Sequence, residues 1–287
     1  MADFHFRLLN VFAETPLGGN PLAVFENGTG LDDVHMQALA LQFNLSETTF
    51  IFPSSVATAR VKIFTPTFEM RFAGHPTLGT AHVVRATKDA GDAISLEMLA
   101  GCIPVSAHHD VWTLRANPPH TRAVSASHQD IASALGLVAN DIAGEPLWVD
   151  TGSEQLVVPL RDTAAVDRCR PDGRLMERHC HNGHRAMVYV WARDSVALSD
   201  HAQDASVRFF FMKAGAPVED PGTGSACANL GGYLLATDLQ LPQRWNLRQG
   251  DHIDKPCRLY LSLDPERNIN VSGRVIELGR GTITLPL

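Results

Sequence analysis

The chain lacks paired cysteines. Its five, at positions 102, 169, 180, 227 and 257, form an odd set with no C-x-x-C spacing, which excludes a disulfide framework or a zinc ribbon as the organising feature. It also lacks any apolar run of about 18 residues, the length that a membrane-spanning helix needs. Residues 1–20 carry Asp3, His5, Arg7 and Glu14 in place of a continuous apolar stretch, so a cytosolic (cytoplasmic) protein is expected. Positive charge is scarce as well: 24 Lys and Arg stand against 31 Asp and Glu, the net charge is −7, and no basic stripe occurs. Nucleic acid and anionic membrane surfaces are thereby excluded as main partners, which leaves small molecules.

What the chain has instead is apolar content and one short pattern used twice. At 287 residues and 45% apolar composition it can fill two ordinary cores. His75-Pro76-Thr77-Leu78-Gly79-Thr80-Ala81 is answered by Asp220-Pro221-Gly222-Thr223-Gly224-Ser225-Ala226, each a polar residue, Pro, two residues, Gly, a hydroxyl residue and Ala. Each copy follows a strand-like run, Val61 to Phe64 and Val207 to Phe211. The polar residue suits an N-cap and the proline suits the first helical position, where its missing N–H costs nothing. Helices are therefore predicted over 76–87 and 221–238. Their first-turn N–H groups lack intrahelical partners and sit at the positive end of the helix dipole, so each start can receive an anion, with Gly79 and Gly224 keeping side chains clear. A second echo, Ser46-Glu47 with a strand to Pro53 against Ser153-Glu154 with a strand to Pro159, occurs in the same order and supports two similar halves.

Residues 6–12 and 22–25 flank a turn cluster and predict a hairpin; 32–44 predicts a helix with Val34, Ala38, Leu39 and Leu41 at helical spacing. Asn117-Pro118-Pro119-His120 marks the best boundary, dividing a lobe over 1–117 from one over 118–279, with a strand at about 280–287 able to pack back onto the first. The second half opens with a helix over 127–137 begun by a Ser-x-x-Asp box, and it ends in strands near 257–263, 269–277 and 282–286, with turns at Asp264-Pro265 and Gly279-Arg280-Gly281. His179-Cys180-His181-Asn182-Gly183-His184 is the one cluster of metal-ligand residue types. Ligands at i and i+2 of a helix point apart, which favours a helix C-terminus with Gly183 as its left-handed cap over a zinc or copper site.

Gly19-Asn20-Pro21-Leu22-Ala23-Val24, Asn44-Leu45-Ser46-Glu47-Thr48, Phe64-Thr65-Pro66, Glu69, Phe72-Ala73-Gly74-His75 with the repeat that follows, and Glu219 with the second repeat together resemble the PhzF-like family, the phenazine-biosynthesis isomerase and its relatives. The resemblance implies the α+β fold of diaminopimelate epimerase: two similar lobes, each a mostly antiparallel sheet curled around a central helix, with the active site between them. It implies cofactor-independent isomerase chemistry, with Glu47 moving a proton between carbons of one small carboxylate-bearing substrate. His75 and Asp220 would orient that substrate, while Ser46, Gly74, Gly222, Thr223, Gly224 and Ser225 would hold its carboxylate. It further implies a homodimer. The epimerases of this superfold use two cysteines, and the matching positions here are Ala73 and Asp220, so two-thiol chemistry is excluded on residue type; Cys227 is expected in the core. Where the family often has Gly-Arg-Pro-Ser near the C-terminus, this chain has Asp254-Lys255-Pro256-Cys257. A binding or scaffold protein keeping the same cleft without turnover is the alternative, and a metal-dependent hydrolase, needing the histidine cluster at the cleft, is a third; no metal is expected.

Overall fold

The computed structural model describes residues 1–195, 202–237 and 239–286. The chain forms two compact units, Met1–Arg115 together with the stretch from Ser272 onward, and Ala116–Val271. The first division falls close to the expected boundary after 117, whereas the C-terminal return begins well before the expected 280. No helix among the described residues is long and apolar enough to cross a membrane.

In the first unit, β1 (Ala2–Val11) and β2 (Asn20–Phe25) form the expected antiparallel hairpin. Helix α1 (Asp33–Phe43) is capped by the Asp32 side chain and closed by Asn44 in the left-handed conformation. Its core face is Met36, Leu39 and Ala40, while Val34 and Leu41 are exposed, so most of the apolar spacing read from the sequence lies on the solvent side. There follow β3 (Glu47–Phe52), β4 (Ala59–Phe64), β5 (Glu69–Met70), α2 (Gly74–Lys88), β6 (Ala93–Met98), β7 (Gly101–His108) and β8 (Val111–Arg115). The ladder runs β1-β2-β3-β4-β6-β7-β8 to the C-terminal strand Ile269–Leu285, which pairs with β1 again, so the sheet closes on itself. Helix α2 packs on seven of these strands, β1 to β4 and β6 to β8, and buries a continuous run from Gly74 to Ala81 with Val83 and Val84. A helix buried all round is a central helix, as expected.

Strand pleating then decides which residues meet it. On β3, Thr49 faces inward and its hydroxyl bonds that of Thr80 on α2 at 2.8 Å, both buried. Phe50 faces the other way and stacks on Phe25 at 4.7 Å beneath α1. With a period of two, Glu47 shares the inward parity of Thr49.

The second unit contains β9 (His120–Ala123), α3 (His128–Ala134), β10 (Leu147–Asp150), β11 (Gln155–Pro159), α4 (Thr163–Arg168), α5 (Gly173–His179), β12 (Met187–Arg193), β13 (Gln203–Lys213), β14 (Ala216–Asp220), α6 (Gly224–Ala236), β15 (Gln243–Gln249), β16 (Cys257–Leu263) and the start of β17 (Ile269–Leu285). Its sheet runs β9-β10-β11-β12-β13-β15-β16, with β14 folded back on β13. Helix α6 packs on β9, β10, β11 and β16 and is buried from Ala226 to Leu235, a second central helix. The smaller helices cover a core that includes Ile131, Val166, Met176, Leu156, Val158 and Val188. The Ser127–Asp130 capping box forms as read.

The turn expected at Gly279-Arg280-Gly281 is absent: β17 is continuous through it. Leu8 pairs with Gly279 and Leu9 with Glu277, a bulge that absorbs one residue. Gly281 marks close packing, since a Cβ there would stand 2.5 Å from the Phe6 ring.

Candidate active site

Glu47 opens β3 and His75 is the second residue of α2, and the two side chains meet, Nδ1 to Oε2, at 3.3 Å. Both are largely buried, with side-chain exposures of 7% for His75 and 15% for Glu47. Burial pushes the His75 imidazole from 6.5 down to about 3, opposed by the Pro21 carbonyl. The contact is therefore one between a carboxyl group and a neutral ring, and not an ion pair at neutral pH. A neutral imidazole can donate from Nδ1 to a carboxylate or accept from a carboxylic acid, so it accommodates either protonation state of Glu47. The other ring nitrogen, Nε2, is buried without a protein partner. A polar atom in that position is one that a substrate group would satisfy.

The helix starts differ from the reading of the repeat. Helix α2 begins at Gly74 after Ala73, which places Pro76 third in the helix, where its missing N–H is still no loss. Helix α6 begins at Gly224 after Thr223, leaving Pro221 in the preceding loop; Asp238, the expected end, lies outside the described residues. His75 and Asp220 are thus not N-caps. Among the described residues, neither central helix has a side-chain cap, whereas α1, α3, α4 and α5 are capped by Asp32, Ser127, Asp162 and Asp172. Uncapped starts leave first-turn N–H groups to a ligand.

In the second unit Asp220 ends β14 opposite Phe209, and its neighbour Glu219 turns the other way into a buried pair with Arg208 at 2.7 Å. The Thr223 hydroxyl donates to the Asp220 carboxylate. Ser225 accepts from Gln155 Nε2 at 2.9 Å; Asn229 in turn donates to Gln155 Oε1 at 2.9 Å and to the Ser153 carbonyl at 2.8 Å, and receives Thr151 N–H and O–H. Every polar position of the Asn229 amide is used, which makes the network a rigid support for the start of α6. Gln155, Asn229 and Thr151 do not stand out in the sequence; the available signals are a polar residue inside the otherwise apolar α6 for Asn229 and one opening the apolar strand β11 for Gln155, while Thr151 lies in the bend after β10.

The remaining expected residues divide by unit. Ser46 is exposed just before β3, and Gly74 is the buried first residue of α2. Gly222 and Thr223 form the turn before α6, and Gly224 is its first residue. Gly79 has another purpose than leaving room for ligand: a Cβ there would meet Leu22 at 2.5 Å and Val11 at 3.0 Å, so it lets α2 lie close to β1 and β2. The second Ser-Glu echo is out of phase. Glu154 precedes β11 and pairs with Arg122 at 2.7 and 2.9 Å, while Gln155 takes the inward position. At the histidine cluster α5 ends at His179 and Gly183, with φ of 100°, sits in the turn beyond, so it is not the helix cap. No group of metal-holding side chains occurs among the described residues. Cys227 is buried and its thiol is pushed up by burial, in keeping with core packing. Two cavities of about 440 and 200 Å³ lie within the second unit, and neither is lined by an expected site residue; the chemistry of the Glu47–His75 pair is the better guide.

A largely buried carboxyl at the start of β3 beside a neutral imidazole on α2 is an arrangement that can accept and return a proton. Residues 9–283 match the phenazine biosynthesis-like protein family, PhzC-PhzF, and the chain belongs to that family. An uncharacterised isomerase of Pasteurella multocida is 37% identical over 100% of this chain and 96% of its own length. The trans-2,3-dihydro-3-hydroxyanthranilate isomerase of Pseudomonas aeruginosa is 33% identical, with 89% of this chain and 88% of that one covered. The crystal structure of a PhzF-family phenazine biosynthesis protein from Bacillus anthracis matches with a TM-score of 0.87 at 23% identity, covering 99% of this chain and 100% of that one, a likeness of fold. The protein is an isomerase of α+β fold, similar to the PhzF and diaminopimelate epimerase-like folds.

Proposed function

We propose that this isomerase moves a proton within one small, carboxylate-bearing substrate without a cofactor, and that Glu47 takes up and returns that proton. The observation that carries the reading is the 3.3 Å contact between Glu47 and the buried, neutral His75. A carboxyl group in partly desolvated surroundings is suited to both halves of a proton shuttle. In this reading His75 and Asp220 orient the substrate, and Ser46, Gly74, Gly222, Thr223, Gly224 and Ser225 hold its carboxylate through hydroxyls and first-turn N–H groups. The compound named for the Pseudomonas aeruginosa relative, trans-2,3-dihydro-3-hydroxyanthranilate, has the required carboxylate and is the first to test. We further propose a cytoplasmic homodimer, for which light scattering should give about twice the 31.2 kDa of one chain.

The experiment is Glu47→Gln, which keeps shape and removes the titrating group. Turnover should fall by about 10²–10⁴ while ligand affinity is nearly kept. His75→Ala should weaken binding as well. Full turnover in the Gln variant would reject Glu47 as the base, and tight binding with no turnover in either protein would favour a binding protein.

A further inference from the structure

We infer that Gln249 is a positioning residue: it fixes the turn that carries Asp220 and, through Thr223, directs a hydrogen bond onto the Asp220 carboxylate. The inference rests on the reading above in which Asp220 orients the substrate. Gln249 is the last residue of β15 and is 1% exposed. Its amide reaches one short segment three times. Oε1 accepts the Thr223 N–H at 3.2 Å, and Nε2 donates to the Asp220 carbonyl and to Thr223 Oγ1, each at 2.9 Å.

The direction of these bonds is determined by their partners. A backbone N–H can only donate and a backbone carbonyl can only accept, so the two together fix which end of the amide is oxygen. Nε2 is then a donor toward Thr223, whose oxygen is used as acceptor on that side. Its own proton is left to turn to Asp220 Oδ2, the contact observed. The result is a one-way chain from Gln249 to Thr223 to Asp220 that ends on a carboxylate oxygen.

The backbone next to Gln249 is itself packed tightly on the same turn. Gly250, at φ of 79°, brings the chain so close to the same turn that a Cβ would lie 2.6 Å from the Pro221 carbonyl and 2.2 Å from that of Lys255. Glutamate at 249 could still accept the Thr223 N–H, but it could not donate to the Asp220 carbonyl and would draw the Thr223 proton to itself. Methionine would fill the space and make none of the three bonds.

Two variants and two readouts test this. In Gln249→Met the Thr223 amide hydrogen should exchange about tenfold faster or more by native-state NMR, the loss of one hydrogen bond, whereas Gln249→Glu should keep its protection. Both variants should raise KM more than they lower kcat, on a compound whose turnover Glu47→Gln abolishes. In an Asp220→Asn background Gln249→Glu should add little further loss, because it acts through that carboxylate. Unchanged Thr223 exchange in Gln249→Met would overturn the inference. So would wild-type KM and kcat in Gln249→Glu, which would leave Gln249 a packing residue. If Glu47→Gln abolishes no reaction, it is the proton-shuttle reading that falls, while the exchange measurement still judges the Gln249 geometry.

Discussion

Two glutamates sit in similar sequence settings, and their surroundings separate them. Glu154 is held by the Arg122 guanidinium, whose hydrogen bonds keep its carboxyl below the usual carboxylate range. Glu47 faces a neutral imidazole instead. Glu154→Gln should leave turnover unchanged and cost no more than about 1 kcal/mol in urea unfolding, since Arg122 is half exposed; a large loss of activity would show that the wrong glutamate carries the chemistry. His75 makes a second prediction at this scale. Its folded value of about 3 lies below the ordinary 6.5, so the unfolded chain binds a proton that the folded one refuses. Stability is full above pH 6.5 and is lost as pH falls toward 3, at about 1.4 kcal/mol per unit, or about 2–3 kcal/mol by pH 4.5. His82, lowered by burial and then by Arg85, adds to the same slope. His75→Gln should flatten the pH dependence of unfolding below 6.5, and an unaltered slope would contradict the burial account. The Glu47 position was legible because Ser-Glu-Thr opens a strand next to a repeat. The supporting amides of Gln155, Asn229 and Gln249 were not, because their partners lie far along the chain, in the folded protein alone.

At the level of elements, both central helices were legible from the paired motif, and their starts were not. Proline is tolerated anywhere in a helix's first turn and also in the loop before it, so the same seven-residue pattern begins a helix at Gly74 in one copy and at Gly224 in the other. Glycine was ambiguous in the same way. Gly79, Gly281 and Gly250 respectively serve helix–strand packing, a strand that passes the Phe6 ring, and a left-handed turn. Gly79→Ala and Gly250→Ala separate these causes. The first pushes on the ends of Leu22 and Val11, which can give, and should cost about 1–3 kcal/mol. The second meets backbone oxygens at a positive φ and should cost more, with the loss visible in urea midpoints. The reverse order would mean that the close approach at Gly250 is misplaced.

For the whole molecule, the order of elements in each half carries the duplication: strands, a central helix with an uncapped start, then further strands. That plan was legible because apolar runs, breaker clusters and the repeat agree. The exchange of the C-terminal strand into the first unit was legible only in part, since Gly279 and Gly281 read locally as a turn while the pairing of β17 with β1 overrides them. In the proposed mechanism one carboxyl group, Glu47, moves the proton. Its most direct test is isotopic: turnover in D₂O with mass spectrometry of the product, wild type against Glu47→Gln. Wild type should either place deuterium on the receiving carbon or carry the original proton across, and the Gln variant should do so about 10²–10⁴ times more slowly. Product formed by the Gln variant at the wild-type rate, with the same isotopic pattern, would contradict it.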